Sequence, residues 1–133
     1  MNKQIFWIAV KAMILNQDNK ILILFKSDDE DVNPNDFDLP WWRINRWEDL
    51  KNALKRECKE EIGIDVEIIN PSNTWWFTKN ELHLVGITFI VKYIWWEIVL
   101  SHEHSKYFWK TKQEILDWNF PTRLKQEIQY LDI

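Results

Sequence analysis

Apolar positions fall along this chain in two kinds of pattern, long β-branched runs and short stretches of helical spacing. Residues 5–15 and 20–26 are runs rich in Ile and Val, and the turn-forming residues 16–19 separate them. This combination predicts a β-hairpin. Further apolar runs predict strands at 64–69, 82–94 and 97–101, the last two flanking a two-residue turn, Trp95-Trp96.

A helix is predicted over residues 48–62. Apolar residues recur there at helical spacing from Leu50 to Ile62, and Gly63 follows, where a helix commonly ends. Two short helices are predicted at 113–116 and 122–131. Because strands and helices are interleaved, the order indicates an α/β or α+β sandwich. The 133 residues fit one domain, 1–133, with a single core.

Charge and composition exclude several classes of protein. The formal net charge is −4 and there is no basic block, which argues against a nucleic-acid polymer as partner. The apolar run at 5–10 is too short for a membrane span. Residues 27–38 contain an acidic stretch that we interpret as a solvated loop. The lone cysteine, Cys58, cannot form an intrachain disulfide, so we expect a cytoplasmic protein in which this thiol is packed in the core.

Three carboxylates share one face near the end of the predicted helix, since Glu57, Glu60 and Glu61 stand at i, i+3 and i+4. Like charges repel there, and the helix dipole disfavours anions at a C-terminus. Arg56 supplies only one positive charge. A hard divalent cation, Mg²⁺ or Mn²⁺, would remove the conflict. Taken alone, such a cluster favours a solvated helix face paired to Arg and Lys.

The helix lies inside a longer motif. From position 42 the chain reads Trp42-x5-Glu48-x7-Arg56-Glu57-Cys58-x-Glu60-Glu61-x-Gly63-Ile64. This pattern resembles the Nudix box, G-x5-E-x7-R-E-U-x-E-E-x-G-U, where U is apolar. Every spacing and every fixed residue matches except the first glycine, which is Trp42 here. The resemblance implies a Nudix-type α/β/α sandwich with a mixed β-sheet.

The resemblance also implies an activity. It is that of a Mg²⁺-dependent pyrophosphohydrolase (Mn²⁺ being an alternative metal) that cleaves a nucleoside diphosphate linked to another group. Nucleoside triphosphates or their oxidised forms are the expected substrates, and sugar nucleotides or dinucleoside polyphosphates are the alternative. The partner would be a nucleotide, not a membrane, and a homodimer is allowed. A non-catalytic nucleotide-binding module on the same fold is the rival function.

Carried over residue by residue, the resemblance makes Glu57, Glu60 and Glu61 the metal ligands, together with the backbone carbonyl of Trp41. Arg56 would hold the carboxylates in place through a salt bridge to Glu48 or Glu57. The catalytic base would be a Glu of the box or Glu103 on a later loop, where a plain surface carboxylate is the alternative. Phe37 or Trp75 would stack on a base, unless they serve only as core.

Tryptophan and glycine contents are both abnormal. The chain has 10 Trp and 2 Gly, whereas average usage gives about nine Gly. Trp stands where glycine is expected at 41, 42, 47, 95–96 and 118. These residues have one of three origins: they are native, they were engineered, or the gene uses UGA codons for glycine and those codons were read as tryptophan. If Trp41, Trp42 and Trp47 are present in the protein, we predict weak or absent hydrolysis, because glycine lets the backbone approach phosphate closely.

Overall fold

The computed structural model describes residues 4–27, 35–101 and 104–133. Within these ranges the chain forms seven strands, three α-helices and a π-helical turn that directly continues the first helix. The strands are β1 (Ile5–Leu15), β2 (Ile21–Lys26), β3 (Phe37–Asp38), β4 (Trp41–Arg43), β5 (Asp65–Lys79), β6 (Leu82–Trp95) and β7 (His104–Lys110). The helices are α1 (Leu50–Glu57), α2 (Lys112–Asp117) and α3 (Thr122–Ile128), and the π-helical turn is Cys58–Ile62.

The strands form one mixed sheet with the order β3-β2-β1-β6-β5, in which β4 also pairs with β1 and β7 with β2. Strands β1 and β6 are parallel and stay in register along the whole of β1, from Ile5 opposite Leu82 to Leu15 opposite Lys92. The other strand pairs are antiparallel. The expected mixed sheet is therefore confirmed.

Strand β1 separates two apolar cores because its side chains alternate between the faces of the sheet. Ala12 and Ile14 belong to the core beneath α1, and Met13 belongs to the core beneath α2 and α3. Helices thus cover both faces, as the sandwich prediction requires. The α1-side core also contains Leu22, Leu24, Trp42, Leu54, Cys58, Ile62 and Val91, and the opposite core contains Ile21, Ile23, Leu39, Ile115, Leu124 and Ile128.

Helix α1 has well-defined ends. The Asp49 side chain accepts a hydrogen bond of 3.0 Å from the Asn52 backbone N–H, a standard N-cap. Gly63 closes the helix in the left-handed conformation with φ of 83°, and its N–H donates to the carbonyls of Cys58 and Lys59. The helix predicted over 48–62 is confirmed, except that its last turn widens into a π-helical turn.

Three sequence-based expectations need correction. Residues 97–101 are not a strand; the N–H groups of Val99 and Ser101 instead donate to the carbonyls of Ile62 and Glu61, at 2.7 and 3.0 Å. Trp95-Trp96 is consequently not the turn of a hairpin. The strand predicted at 64–69 extends to Lys79, because β6 offers it a partner along that length. Strand β7 was not predicted.

The other elements agree with the sequence. The β1–β2 hairpin is confirmed, and Asn16 Oδ1 stabilises its turn by accepting from the N–H groups of Asp18 and Lys20, at 3.0 and 2.9 Å. The two short C-terminal helices are confirmed as α2 and α3. In the ranges that the structure describes, no helix has the length and apolarity needed to cross a bilayer.

Candidate active site

Arg56 is the centre of a group of carboxylates at the end of α1. Its Nε and Nη2 donate to the two carboxylate oxygens of Glu48, at 2.6 and 3.0 Å, which is a bidentate pair. Nη2 also lies 3.0 Å from Glu57 Oε1, and Nη1 donates to Glu60 Oε2 at 2.8 Å. One guanidinium therefore holds three carboxylates, two from the helix and one from the loop before it.

The pKa values in this group diverge. The hydrogen bond from Arg56 lowers the pKa of Glu48, and the same bond raises the pKa of Arg56. At Glu57, burial raises the pKa, and this effect outweighs the opposing influence of Arg56. Glu48 is thus held as an anion, whereas Glu57 takes up a proton more readily than an ordinary glutamate.

Glu61 faces a different environment. Its Oε2 is buried and has no hydrogen-bond partner among the described residues. The buried side chain of His104 interacts electrostatically with Glu61, and its Nδ1 is likewise buried without a partner in those residues. Burial, with a contribution from Lys26, lowers the pKa of His104 to about 4, so the imidazole is neutral near pH 7. An orphaned carboxylate oxygen beside a neutral imidazole is a costly arrangement unless something binds there.

The donor atoms fit a hard divalent cation, although they are not arranged around one point. In residues 4–27, 35–101 and 104–133, no three acidic, His or Cys side chains converge as a ready-made metal site. Glu57 and Glu60 turn towards Arg56 instead. Yet the donors are carboxylate oxygens, which Mg²⁺ and Mn²⁺ prefer, and Glu61 Oε2 is buried with no hydrogen-bond partner in the described residues.

The glycine-like tryptophans divide into two groups. Trp47 and Trp96 adopt positive φ values of 68° and 83°, which a bulky residue resists. Trp41 and Trp42 lie in strand β4 without positive φ, and Trp118 has φ of −90°. Trp95 lies in strand β6, also without positive φ. The expectation of a glycine conformation is therefore wrong at 41, 42, 95 and 118, where strand pairing or an extended helix exit sets the backbone. Glu103 lies outside the described residues.

A cavity of about 710 Å³ opens on the α3 side of the sheet. Aromatic and charged side chains share its lining, and Trp41 connects it in sequence to the start of the motif. The lining residues are Lys11, Asp38, Trp41, Asn73, Thr74, Trp75, Trp76, Phe77, Arg123, Gln126, Glu127, Gln129 and Tyr130. The volume is in the range of small-molecule binding sites.

A buried ionic network lies at one side of this cavity. Lys11 Nζ lies 2.9 Å from Glu127 Oε2 and 3.4 Å from Asp38 Oδ1. The Thr88 hydroxyl donates to the other Glu127 oxygen. Burial lowers the pKa of Lys11, but the two carboxylates outweigh it, and the net pKa is raised. Sequence reasoning missed this network, although a single lysine inside the apolar run 5–15 was a signal for it.

The protein is thus an α/β sandwich in which an arginine holds an acidic centre at the end of a helix. Residues 6–130 match the NUDIX domain, and the chain belongs to that family. It is a Nudix hydrolase, an enzyme class that acts on nucleotide substrates and generally uses divalent metal cations.

Individual relatives are distant but cover nearly the whole chain. The chain is 26% identical over 129 residues to nucleoside triphosphatase NudI of Escherichia fergusonii, covering 86% of this chain and 91% of that protein. The MutT protein of Methanosarcina mazei Go1 superposes with a TM-score of 0.86 at 28% identity, covering 97% and 94% of the two chains. The dihydroneopterin triphosphate pyrophosphohydrolase of E. coli has the same fold, with a TM-score of 0.72 at 20% identity and 95% and 96% coverage.

Proposed function

We propose that this Nudix hydrolase is a Mg²⁺-dependent pyrophosphohydrolase whose main substrates are nucleoside triphosphates, oxidised forms included. The observation that carries the proposal is the acidic centre, in which Arg56 holds Glu48, Glu57 and Glu60 while a Glu61 oxygen lies buried without a partner among the described residues. Sugar nucleotides and dinucleoside polyphosphates are the alternative substrates. The proposal includes a cytoplasmic location for the enzyme and soluble nucleotides as its substrates.

The metal would be held by Glu57, Glu60 and Glu61, with the backbone carbonyl of Trp41 as a further ligand. When bound, the cation neutralises phosphate charge and makes water more acidic. Arg56 fixes the direction of Glu57 and Glu60, and Glu48 in turn fixes Arg56 through the bidentate pair. Glu48 and Arg56 therefore act as positioning residues.

The proton from the attacking water needs an acceptor. Glu57 is the first candidate, because it is a glutamate of the motif and Arg56 Nη2 holds its carboxylate at 3.0 Å. Glu103 remains the second candidate, from the later loop. Loss of the proton to either residue would accompany attack of water on one phosphorus of the P–O–P link.

Names of relatives support the choice of substrate class. The curated relative NudI is called a nucleoside triphosphatase. That name describes cleavage of a phosphoric anhydride in a nucleoside triphosphate.

The test is release of phosphate or pyrophosphate from a panel of nucleotides, with and without Mg²⁺. We expect Mg²⁺-dependent release, and we expect Glu60→Gln to abolish it. Glu67→Gln on β5 is the matched control, since Glu67 is exposed and lies outside the motif. Full activity of Glu60→Gln, with the fold verified by circular dichroism, would overturn the metal assignment.

A non-catalytic nucleotide-binding module is the second candidate. Trp47 favours it, since this residue is 95% exposed, has a strained backbone and immediately precedes Glu48. The prediction of weak hydrolysis by a chain containing Trp41, Trp42 and Trp47 belongs to this candidate. Nucleotide binding with no Mg²⁺-dependent release from any member of the panel would favour it over the enzyme.

A further inference from the structure

Strand β5 is the last strand of the sheet, and its two halves differ in their protection against pairing with another chain. Among the described residues only β6 pairs with it, so its outer edge is open. Between Asp65 and Asn73 the register with β6 is interrupted three times. This half also contains Pro71 and two acidic residues. Bulges, charges and proline are the means by which proteins keep edge strands from associating, so the first half is protected.

Residues 73–79, here called the open segment, lack these means of protection. Their register with β6 is continuous, from Asn73 opposite Thr88 to Lys79 opposite Leu82. The segment contains no proline, and its single charged residue is Lys79, at the very end. A regular edge with so little charge is a template on which another strand can pair.

A row of aromatic rings on one face of the sheet ends at the open segment. Phe6 of β1 contacts His83 of β6, with 5.2 Å between the ring centroids. His83 in turn stacks on Trp76 of β5, at 5.2 Å and with 7° between the ring planes. Trp76 lies on the outermost strand and is 67% exposed. The row therefore stops at an indole that a strand added to this edge would contact.

We propose that the open segment binds a second copy of this chain, by antiparallel pairing of the two segments about a two-fold axis at Trp76. An antiparallel pair of identical strands is symmetric, so the same edge serves both copies and the dimer is closed. Residue 76 is the middle of the segment. With the axis there, Trp76 faces Trp76 of the second copy, and the two sheets become one.

The pairs that this register creates are self-complementary. Thr74 lies opposite Thr78 of the second copy, and Asn73 lies opposite Lys79. Aromatic pairs and Thr–Thr pairs are among the cross-strand combinations that stabilise a sheet, whereas like charges placed opposite each other destabilise it. Because the one lysine faces an amide, no two like charges meet. The edge thus fits a second copy of itself.

The expected contact is small. A whole tryptophan has about 250 Å² to bury, so the exposed two-thirds of Trp76 would contribute about 170 Å² from each copy. The remainder comes from the edges of two short strands. Interfaces below about 1,200 Å² belong to weak, reversible associations. The dimer should therefore dissociate on dilution.

Sedimentation of the full chain measures the association. We expect a reversible equilibrium of monomer and dimer between micromolar and millimolar protein. Trp76→Lys should be monomeric over this range, because two ammonium groups would face each other across the axis. Trp95→Lys is the matched control and should dimerise, since Trp95 is similarly exposed, at 63%, and lies at the far end of β6. A monomer at all concentrations, or assembly that continues beyond a dimer, would overturn the proposal.

Crosslinking tests the register with Trp76 left in place. Residue 74 would lie opposite residue 78 of the second copy, with Cβ atoms about 4.5–5.5 Å apart, whereas the two copies of residue 74 would be about 13 Å apart along the strands. A short thiol crosslinker should join Thr74→Cys to Thr78→Cys in a mixture and join neither variant to itself. Cys58 is buried, so the original chain should give no product. Equal product from each variant alone, or none from the mixture, would contradict the pairing.

Two controls separate this proposal from other outcomes. Glu60→Gln should dimerise as the original chain does, so loss of hydrolysis in that variant would leave the dimer standing. A synthetic peptide of residues 73–79 should bind the edge and compete with dimer formation, and a scrambled peptide of the same composition should not. Equal competition by both peptides would show that the edge accepts any strand, and the assignment to a second copy would be wrong.

Discussion

Replacing Lys11 with Met removes the cation that joins Asp38 to Glu127. The side chains of these three residues are each less than a tenth exposed. Glu127 would therefore lose its lysine partner while still buried, whereas Asp38 would keep Lys26 Nζ at 3.8 Å and Arg123 Nε at 4.0 Å. Breaking a buried pair from one side costs about 3–5 kcal/mol. A domain of this size is stable by about 5–15 kcal/mol, so the variant should fold with roughly half of the original stability.

Urea unfolding at pH 7 measures the loss. With a slope of about 2 kcal/mol per molar, the midpoint should fall by roughly 2 M. The double variant Lys11→Met, Glu127→Gln should recover most of the stability, since it neutralises Glu127 and leaves Asp38 paired with Lys26 and Arg123.

Lys51→Met is the control, since Lys51 is exposed on α1 and its replacement should change stability by less than about 0.5 kcal/mol. A loss below about 1 kcal/mol in Lys11→Met would show that the network is hydrated or rearranged. The interpretation of a buried, mutually compensated triad would then be wrong.

Other predictions concern single positions. Trp47→Gly should raise the free energy of unfolding by up to about 1 kcal/mol, because it relieves a positive φ and loses no buried surface. Trp76→Gly, in the interior of β5, should lower it. Equal effects of the two variants in urea unfolding would contradict this. An intact mass of natively produced protein that fits ten tryptophans would rule out recoding of UGA. Because the pKa of His104 is lowered to about 4 in the folded state, the unfolded chain binds the proton first as the pH falls from about 6.5; stability should decline over that range, and His104→Gln should flatten the decline. Since burial raises the pKa of Glu57, protons should compete with Mg²⁺ at a higher pH than for ordinary glutamates, and the Mg²⁺ concentration for half-maximal activity should rise as the assay pH is lowered from 8 to 5.

Local signals predicted the elements that local physics determines. The apolar spacing from Leu50 to Ile62 and the glycine at 63 gave α1 and its end, because both act within a few residues. The turn residues after Leu15 gave the hairpin for the same reason. The relation of Arg56 to Glu48 and Glu57 came from the family resemblance and not from local physics, and the structure has both pairs.

Long-range pairing decided the features that were missed. The length of β5 depends on β6, and a peptide that contains Asn70, Pro71 and Ser72 gives no local reason to continue as a strand. Residues 97–101 resemble a strand, yet their N–H groups bond to the end of the π-helical turn. The cavity unites residues as distant as Lys11 and Glu127, a combination that no single-sequence window contains.

The parallel pairing of β1 with β6 has a consequence for synthesis of the protein. Strand β1 leaves the ribosome early, but its partner does not begin until Leu82. At ordinary translation rates of about 5–20 residues per second, the apolar strand waits for several seconds with one edge open. During that interval its completed partners among the described residues are β2, at Leu15, and the short strand β4. The nascent chain is therefore most vulnerable to aggregation before its second half emerges, and expression at lower temperature or with a chaperone that covers apolar strands should increase the soluble yield.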